Sequence, residues 1–164
     1  MAKHLTLPDE AVLIAPRDQL NFLDVATLPL PHPMTPFEVW QMMMEKPLPL
    51  AKQAFWLRDA ISARFGVKKI GGFSTRPTTP PRIGRKLDFF LVEDISPTRM
   101  LLTERDRHLD VMTCITTTDS VLAITSSVKV HNTYGRLYML PVAPAHKLIV
   151  SAMLRRLRKT LSAR

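Results

Sequence analysis

From Lys86 to His131 apolar and polar residues alternate, and turn residues interrupt the run at Ser96-Pro97-Thr98, near Asp106 and at Thr118-Asp119-Ser120. A period of two places successive side chains on opposite faces of a strand, so the stretch reads as a half-buried ladder. Leu87, Phe89 and Leu91 share one predicted face, with Asp88, Phe90 and Val92 on the other. The chain returns over Arg99 to Arg105, turns into His108 to Thr117 and closes with Val121 to His131. Three consecutive hairpin connections give an antiparallel meander. In its last strand Leu122, Ile124, Val128 and Val130 share a face, while Thr125, Ser127, Lys129 and His131 share the other.

A sheet with an apolar face needs a cover. The spacing predicts one: a helix from about Pro144 to Leu161, about 27 Å long, with proline at its first position. Ala145, Leu148, Ile149, Ala152, Met153, Leu157 and Leu161 form the expected packing face, and Lys147, Arg155, Arg158 and Lys159 the outer one. His146 is expected in the first turn, on the surface.

Upstream, Leu20 to Leu28 reads as a first strand, stopped by Pro29, Pro31 and Pro33. Thr35-Pro36 is a helix start with Thr35 as cap, and Phe37, Trp40, Gln41 and Met44 share a face until Lys46-Pro47. A second helix is expected from Pro49 to Phe65, ended by Gly66. Met42-Met43-Met44 could line an adaptable pocket or simply fill the core. Gly71-Gly72 lacks the Gly-x-x-x-x-Gly-Lys spacing of a phosphate loop and reads as a turn. Residues 73–85, rich in Pro and Arg, form a long loop, either a lid or an ordinary insertion. Residues 1–19 form an N-terminal extension on a single domain spanning 1–164. The predicted class is α+β: a curved antiparallel sheet gripping a long C-terminal helix, with two helices after the first strand.

The net charge is +9, and it is unevenly spread. Residues 60–87 and 136–164 each carry seven Lys/Arg and no acid, leaving nine basic against fourteen acidic residues elsewhere. Two basic surfaces suit an anionic partner, a bilayer surface included, or simply keep the chain solvated. The basic helix lacks interleaved aromatics and no nucleic-acid motif occurs, so a nucleic-acid role is not expected. Cys114 is the sole cysteine, which excludes an internal disulfide and fits a reducing compartment. The N-terminus shows no secretory leader, and no uninterrupted apolar run approaches the ~18 residues of a span; the expected location is the cytoplasm.

Asn21-Phe22-Leu23-Asp24, Leu57-Arg58-Asp59, Asp106-Arg107-His108-Leu109-Asp110, Val130-His131-Asn132, Gly135-Arg136-Leu137-Tyr138 and the run Val142 to Val150 carry a resemblance. With them the chain resembles an uncharacterised bacterial domain-of-unknown-function family. Its element order is similar to that of the helix-grip, or START-like (SRPBCC), superfamily. The resemblance covers nearly all of the chain and implies a cavity between sheet and helix for apolar or amphipathic molecules. It carries over no catalytic residue. The 73–85 insertion is a departure, at the expected cavity mouth.

His108 and Asp110 alternate along a strand and are expected to point the same way, with His131 closing the neighbouring strand. A carboxylate beside an imidazole holds its tautomer and raises its basicity, as a general base requires. A hairpin fixed by local hydrogen bonds would use the same residues. No HxH or HExxH spacing occurs, so neither a metal nor another cofactor is expected. Cys114, mid-strand, is not expected to be a nucleophile. Tyr138 could face the cavity, and Arg136 could bind an anionic head or pair with Asp24. The expected function is binding or carriage of a lipid-like or aromatic molecule, with Arg58, His108, Asp110, His131, Asn132, Arg136 and Tyr138 as candidate contacts. One alternative is a cyclase- or hydratase-type enzyme using His108 and Asp110 as acid and base. Another is attachment to an anionic membrane surface through the basic helix.

Overall fold

The computed structural model describes residues 6–45, 59 and 78–163. Six strands form one antiparallel sheet: β1 (Phe22–Pro29), β2 (Lys86–Leu87), β3 (Phe90–Ile95), β4 (Arg99–Arg105), β5 (Leu109–Thr118) and β6 (Val121–Val130). Their order across the curved sheet is β1-β6-β5-β4-β3-β2, so the first strand lies on an edge beside the last. Helix α1 (Pro36–Glu45) follows β1, and the long α2 (Thr133–Ser162) closes the chain. Sheet and terminal helix together have the helix-grip arrangement. The expected second helix from Pro49 and the Gly71-Gly72 turn lie outside the described residues.

Each turn has a local cause. Asp119 and Ser120 both take positive φ, the twist that matches a two-residue hairpin between β5 and β6. At Ser96-Pro97-Thr98 the Ser96 hydroxyl accepts from the N–H groups of Thr98 and Arg99. Between β4 and β5, Asp106 Oδ1 accepts from His108 N–H at 2.6 Å and Leu109 N–H at 3.0 Å, an aspartate-stabilised turn. The expected face assignment at 87–92 does not hold. Asp88, at φ +55°, begins a second two-residue turn that pairs Leu87 with Phe90. The alternation therefore restarts, and Leu87, Phe90 and Val92 all turn toward the core. The described end of the 73–85 loop is tied down: Gly84 N–H donates to Val92 O and Val92 N–H to Arg85 O.

The sheet has two covered faces. On one, Leu28, Met100, Leu102, Ile115, Leu122 and Ile124 pack against Val39, Trp40 and Met43 of α1 and Val150, Leu154 and Leu157 of α2. Each of these large apolar side chains contributes roughly 1.5–3 kcal/mol on burial. Met43 lies in this core with Met42 and Met44 packed on it, so the methionine run is filler. Thr35 caps α1 as expected, its hydroxyl accepting from Glu38 N–H while Glu38 accepts from Thr35 N–H. That capping box holds the Glu38 carboxyl below its usual range.

The N-terminal segment covers the other face. Val12 and Ile14 pack on Leu101, Met112 and Cys114, and Ile14 N–H donates to Ser127 Oγ. Lys129 Nζ reaches Gln19 Oε1, and Asn21 Oδ1 accepts from Val130 N–H. The extension is thus a strap across the sheet.

Helix α2 starts eleven residues before the expected Pro144. Pro141 and Pro144 lie inside it, and both are exposed. A proline lacks the N–H that would reach the carbonyl four residues back. On an outward face water can take the freed carbonyls of Leu137 and Leu140. The packing face is rotated from that expected: Ala145 and Leu148 are exposed, while Val150, Leu154 and Leu157 are buried. By length and composition α2 could cross a membrane, since an 18-residue window reaches a mean hydropathy of 1.4. In this fold its buried side chains pack on the sheet instead.

Candidate functional site

Gly135 brings the start of α2 against the β4–β5 turn. A Cβ there would stand 2.5 Å from His108 O and 2.8 Å from Val130 Cγ1. Asn132 caps the helix, its Oδ1 accepting from Gly135 N–H at 3.0 Å while its Nδ2 donates to Arg107 O at 3.1 Å. Arg107 Nε donates to His108 Nε2 at 3.0 Å, so the ring proton lies on Nδ1 and points to Asn132 Oδ1 at 3.1 Å. Tyr134 tilts on the His108 ring at 4.4 Å, and Tyr138 stacks on Tyr134 at 6.3 Å. His108 is only 9% exposed. Its two nitrogens are committed to Arg107 and Asn132, so this corner joins helix to hairpin.

Asp110 is not part of that corner. It lies on the face carrying Met112 and Cys114, and its Oδ2 is 3.1 Å from His131 Nε2. The expected His108–Asp110 pair is therefore replaced by two separate pairs, His108 with Asn132 and Asp110 with His131. The cause is the Asp106 turn, which takes His108 out of strand alternation. Arg136 is exposed on the first turn of α2, and it is Lys147 that approaches Asp24, at 3.9 Å. Arg58 lies outside the described residues. Among the described residues no cluster of metal-ligating side chains occurs.

A concave site lies elsewhere. Between β1 and one side of α2 runs an open groove of about 410 Å³. Asp24, Val25, Ala26 and Thr27 form one wall, and Lys147, Ser151, Leu154, Arg155 and Arg158 the other. Its walls carry three cations against one carboxylate. The Asp24 side chain is 18% exposed and that of Lys147 56%, so their 3.9 Å pairing is solvent-screened and worth at most about 1 kcal/mol. The groove is consequently a cationic slot with apolar lining from Ala26 and Leu154.

His146 anchors the end of this slot and is not a surface residue. Its Nε2 is 3.0 Å from Ser126 Oγ, and its ring meets Phe22 edge-on at 5.6 Å. Lys147 Nζ stands 5.7 Å from the centre of the same Phe22 ring. Burial pushes the His146 pKa below its ordinary value, and Lys147 adds to this while Asp24 opposes it. Sequence reasoning left these groups scattered. The one local signal was a lone aspartate in the apolar run Phe22-Leu23-Asp24-Val25-Ala26.

Cys114 is buried, and burial raises its thiol pKa, as expected for an inert mid-strand cysteine.

The family described as "Protein of unknown function (DUF2867)" matches residues 17–153. The chain belongs to the DUF2867 family. The match includes β1, the whole sheet and α2 through Met153, and so takes in the hairpin corner and most of the groove. It stops short of Arg155 and Arg158. No curated protein and no solved structure matches the chain.

Proposed function

We propose that this protein binds or carries a small amphipathic molecule with an anionic head, held in the groove between β1 and α2. The observation that carries the reading is the groove itself: about 410 Å³, within the range of small-molecule sites, with Lys147, Arg155 and Arg158 along one wall. Guanidinium groups suit the paired oxygens of a carboxylate or phosphate, and Ala26 and Leu154 offer apolar contact for a short chain or ring. The helix-grip arrangement supports a START-like carrier. The site is an open slot between β1 and α2. The buried free thiol of Cys114 suits the reducing cytoplasm.

Calorimetric titration with decanoate and decyl phosphate, with decanol as the uncharged control, tests the proposal. The two anions are expected to bind and decanol to bind much more weakly. Arg155→Ala together with Arg158→Ala is expected to weaken the anions by about tenfold or more, the loss of a charge-assisted hydrogen bond. No binding of either anion, or equal binding by the double variant, would overturn it.

A further inference from the structure

The outward face of α2 carries a second feature, which shares only Arg155 with the groove. Leu137, Leu140 and Leu148 are 61%, 70% and 69% exposed, three of the most exposed large apolar side chains among the described residues. At about 100° per residue, Leu137, Pro141, Pro144, Leu148, Arg155 and Lys159 fall within an arc of about 60°. One line along the helix is thus apolar over its first half and cationic over its second. Helix α2 contains no acidic residue.

We propose that this face seats the protein on an anionic lipid bilayer, with α2 lying in the plane of the interface. Isolated exposed leucines are ordinary on a soluble protein, but an aligned row of them on one helix marks a contact surface. Cations a further ~10 Å along the same line would neutralise headgroup phosphates while the leucines enter the acyl boundary. The two prolines fit an interfacial seat better than a spanning one. They free the carbonyls of Leu137 and Leu140 on the outward side, where the interface supplies water and a hydrocarbon core does not. The opposite side of α2 stays packed on the sheet through Val150, Leu154 and Leu157, so the whole fold docks without unfolding.

Vesicle co-sedimentation tests this, using equimolar phosphatidylglycerol and phosphatidylcholine against phosphatidylcholine alone. Arg155 and Arg158 also line the groove, so the substitutions avoid them. Wild-type protein is expected to sediment with the anionic vesicles and to stay in solution with the neutral ones. Lys159→Ala is expected to lower partitioning about fivefold. Leu137→Glu with Leu148→Glu is expected to abolish it while decanoate binding in the groove persists. A fluorophore on Leu148→Cys is expected to shift to the blue on vesicle addition, and one on Val121→Cys, exposed beside the β5–β6 turn at the opposite end of β6 from the start of α2, to stay unchanged; this readout keeps the idea testable if the double glutamate variant fails to fold. Absence of sedimentation, or sedimentation unchanged by the leucine substitutions, would overturn the proposal. So would a concentration-dependent dimer broken by those substitutions, which would make a second copy the occupant.

Discussion

Removing the Asn132 side chain should separate α2 from the β4–β5 turn, and the size of the loss follows from three bonds. Asn132→Ala deletes the cap on Gly135 N–H, typically about 1 kcal/mol. It leaves His108 Nδ1–H, on a ring that is almost wholly buried, without its acceptor, a penalty of about 1–3 kcal/mol. The third bond, from Nδ2 to Arg107 O, lies at an exposed position where water can replace it. The sum is about 2–4 kcal/mol, which in a chain of this size lowers Tm by about 4–16 °C. Asn132→Asp is the control. It keeps an oxygen for both Gly135 N–H and His108 Nδ1–H and adds negative charge at the helix N-terminus, so it should remain within about 1 kcal/mol of wild type. Urea denaturation followed by far-UV circular dichroism measures all three proteins. If Asn132→Ala lies within about 0.5 kcal/mol of wild type, or Asn132→Asp is as damaged as Asn132→Ala, the hydrogen-bond assignment at this corner is wrong.

Two further outcomes are expected. Gly135→Ala should destabilise by about 1–2 kcal/mol, because overpacking against the His108 carbonyl outweighs the gain in helix propensity; a more stable variant in the same urea assay would refute the close approach. His146 has its pKa depressed in the folded state relative to 6.5, chiefly by burial. The unfolded chain therefore binds the proton more readily, and this contribution to stability is complete above about pH 6.5 and lost as pH falls toward the folded value. Stability measured between pH 5 and 7.5 should rise with pH through that window. The rise should be shallower in His146→Gln, and equal slopes in the two proteins would contradict the burial of the ring.

Much of the fold was legible because its determinants are local. Asp119-Ser120 and Ser96 set their turns within a few residues, Thr35 and Glu38 close their own capping box, and Pro29 ends β1. Asn132 sits at the strand end as expected, but its role as the cap of α2 was not legible, since the helix start was assigned to Pro144. Phe89 misled for a similar reason. An unbroken period of two looks the same with or without a two-residue turn at Asp88, yet the turn reverses which side chains enter the core. His146 gave no local sign of burial, because Phe22 and Ser126, which cover and hold it, lie 124 and 20 residues away.

By itself the sequence determined the meander from β3 to β6 with its three turns, the first strand and the amphipathic character of the last helix. These depend on spacing, capping and proline geometry, which act over a few residues. Tertiary structure decided where α2 begins, which of its faces is buried and which residues form the groove. A proline is tolerated inside a helix when the freed carbonyl faces water, and only packing says which side that is. Asp24 meets Lys147 because β1 pairs with β6 and α2 folds back over that pair. No local rule links residues more than a hundred positions apart; burial of one shared core does.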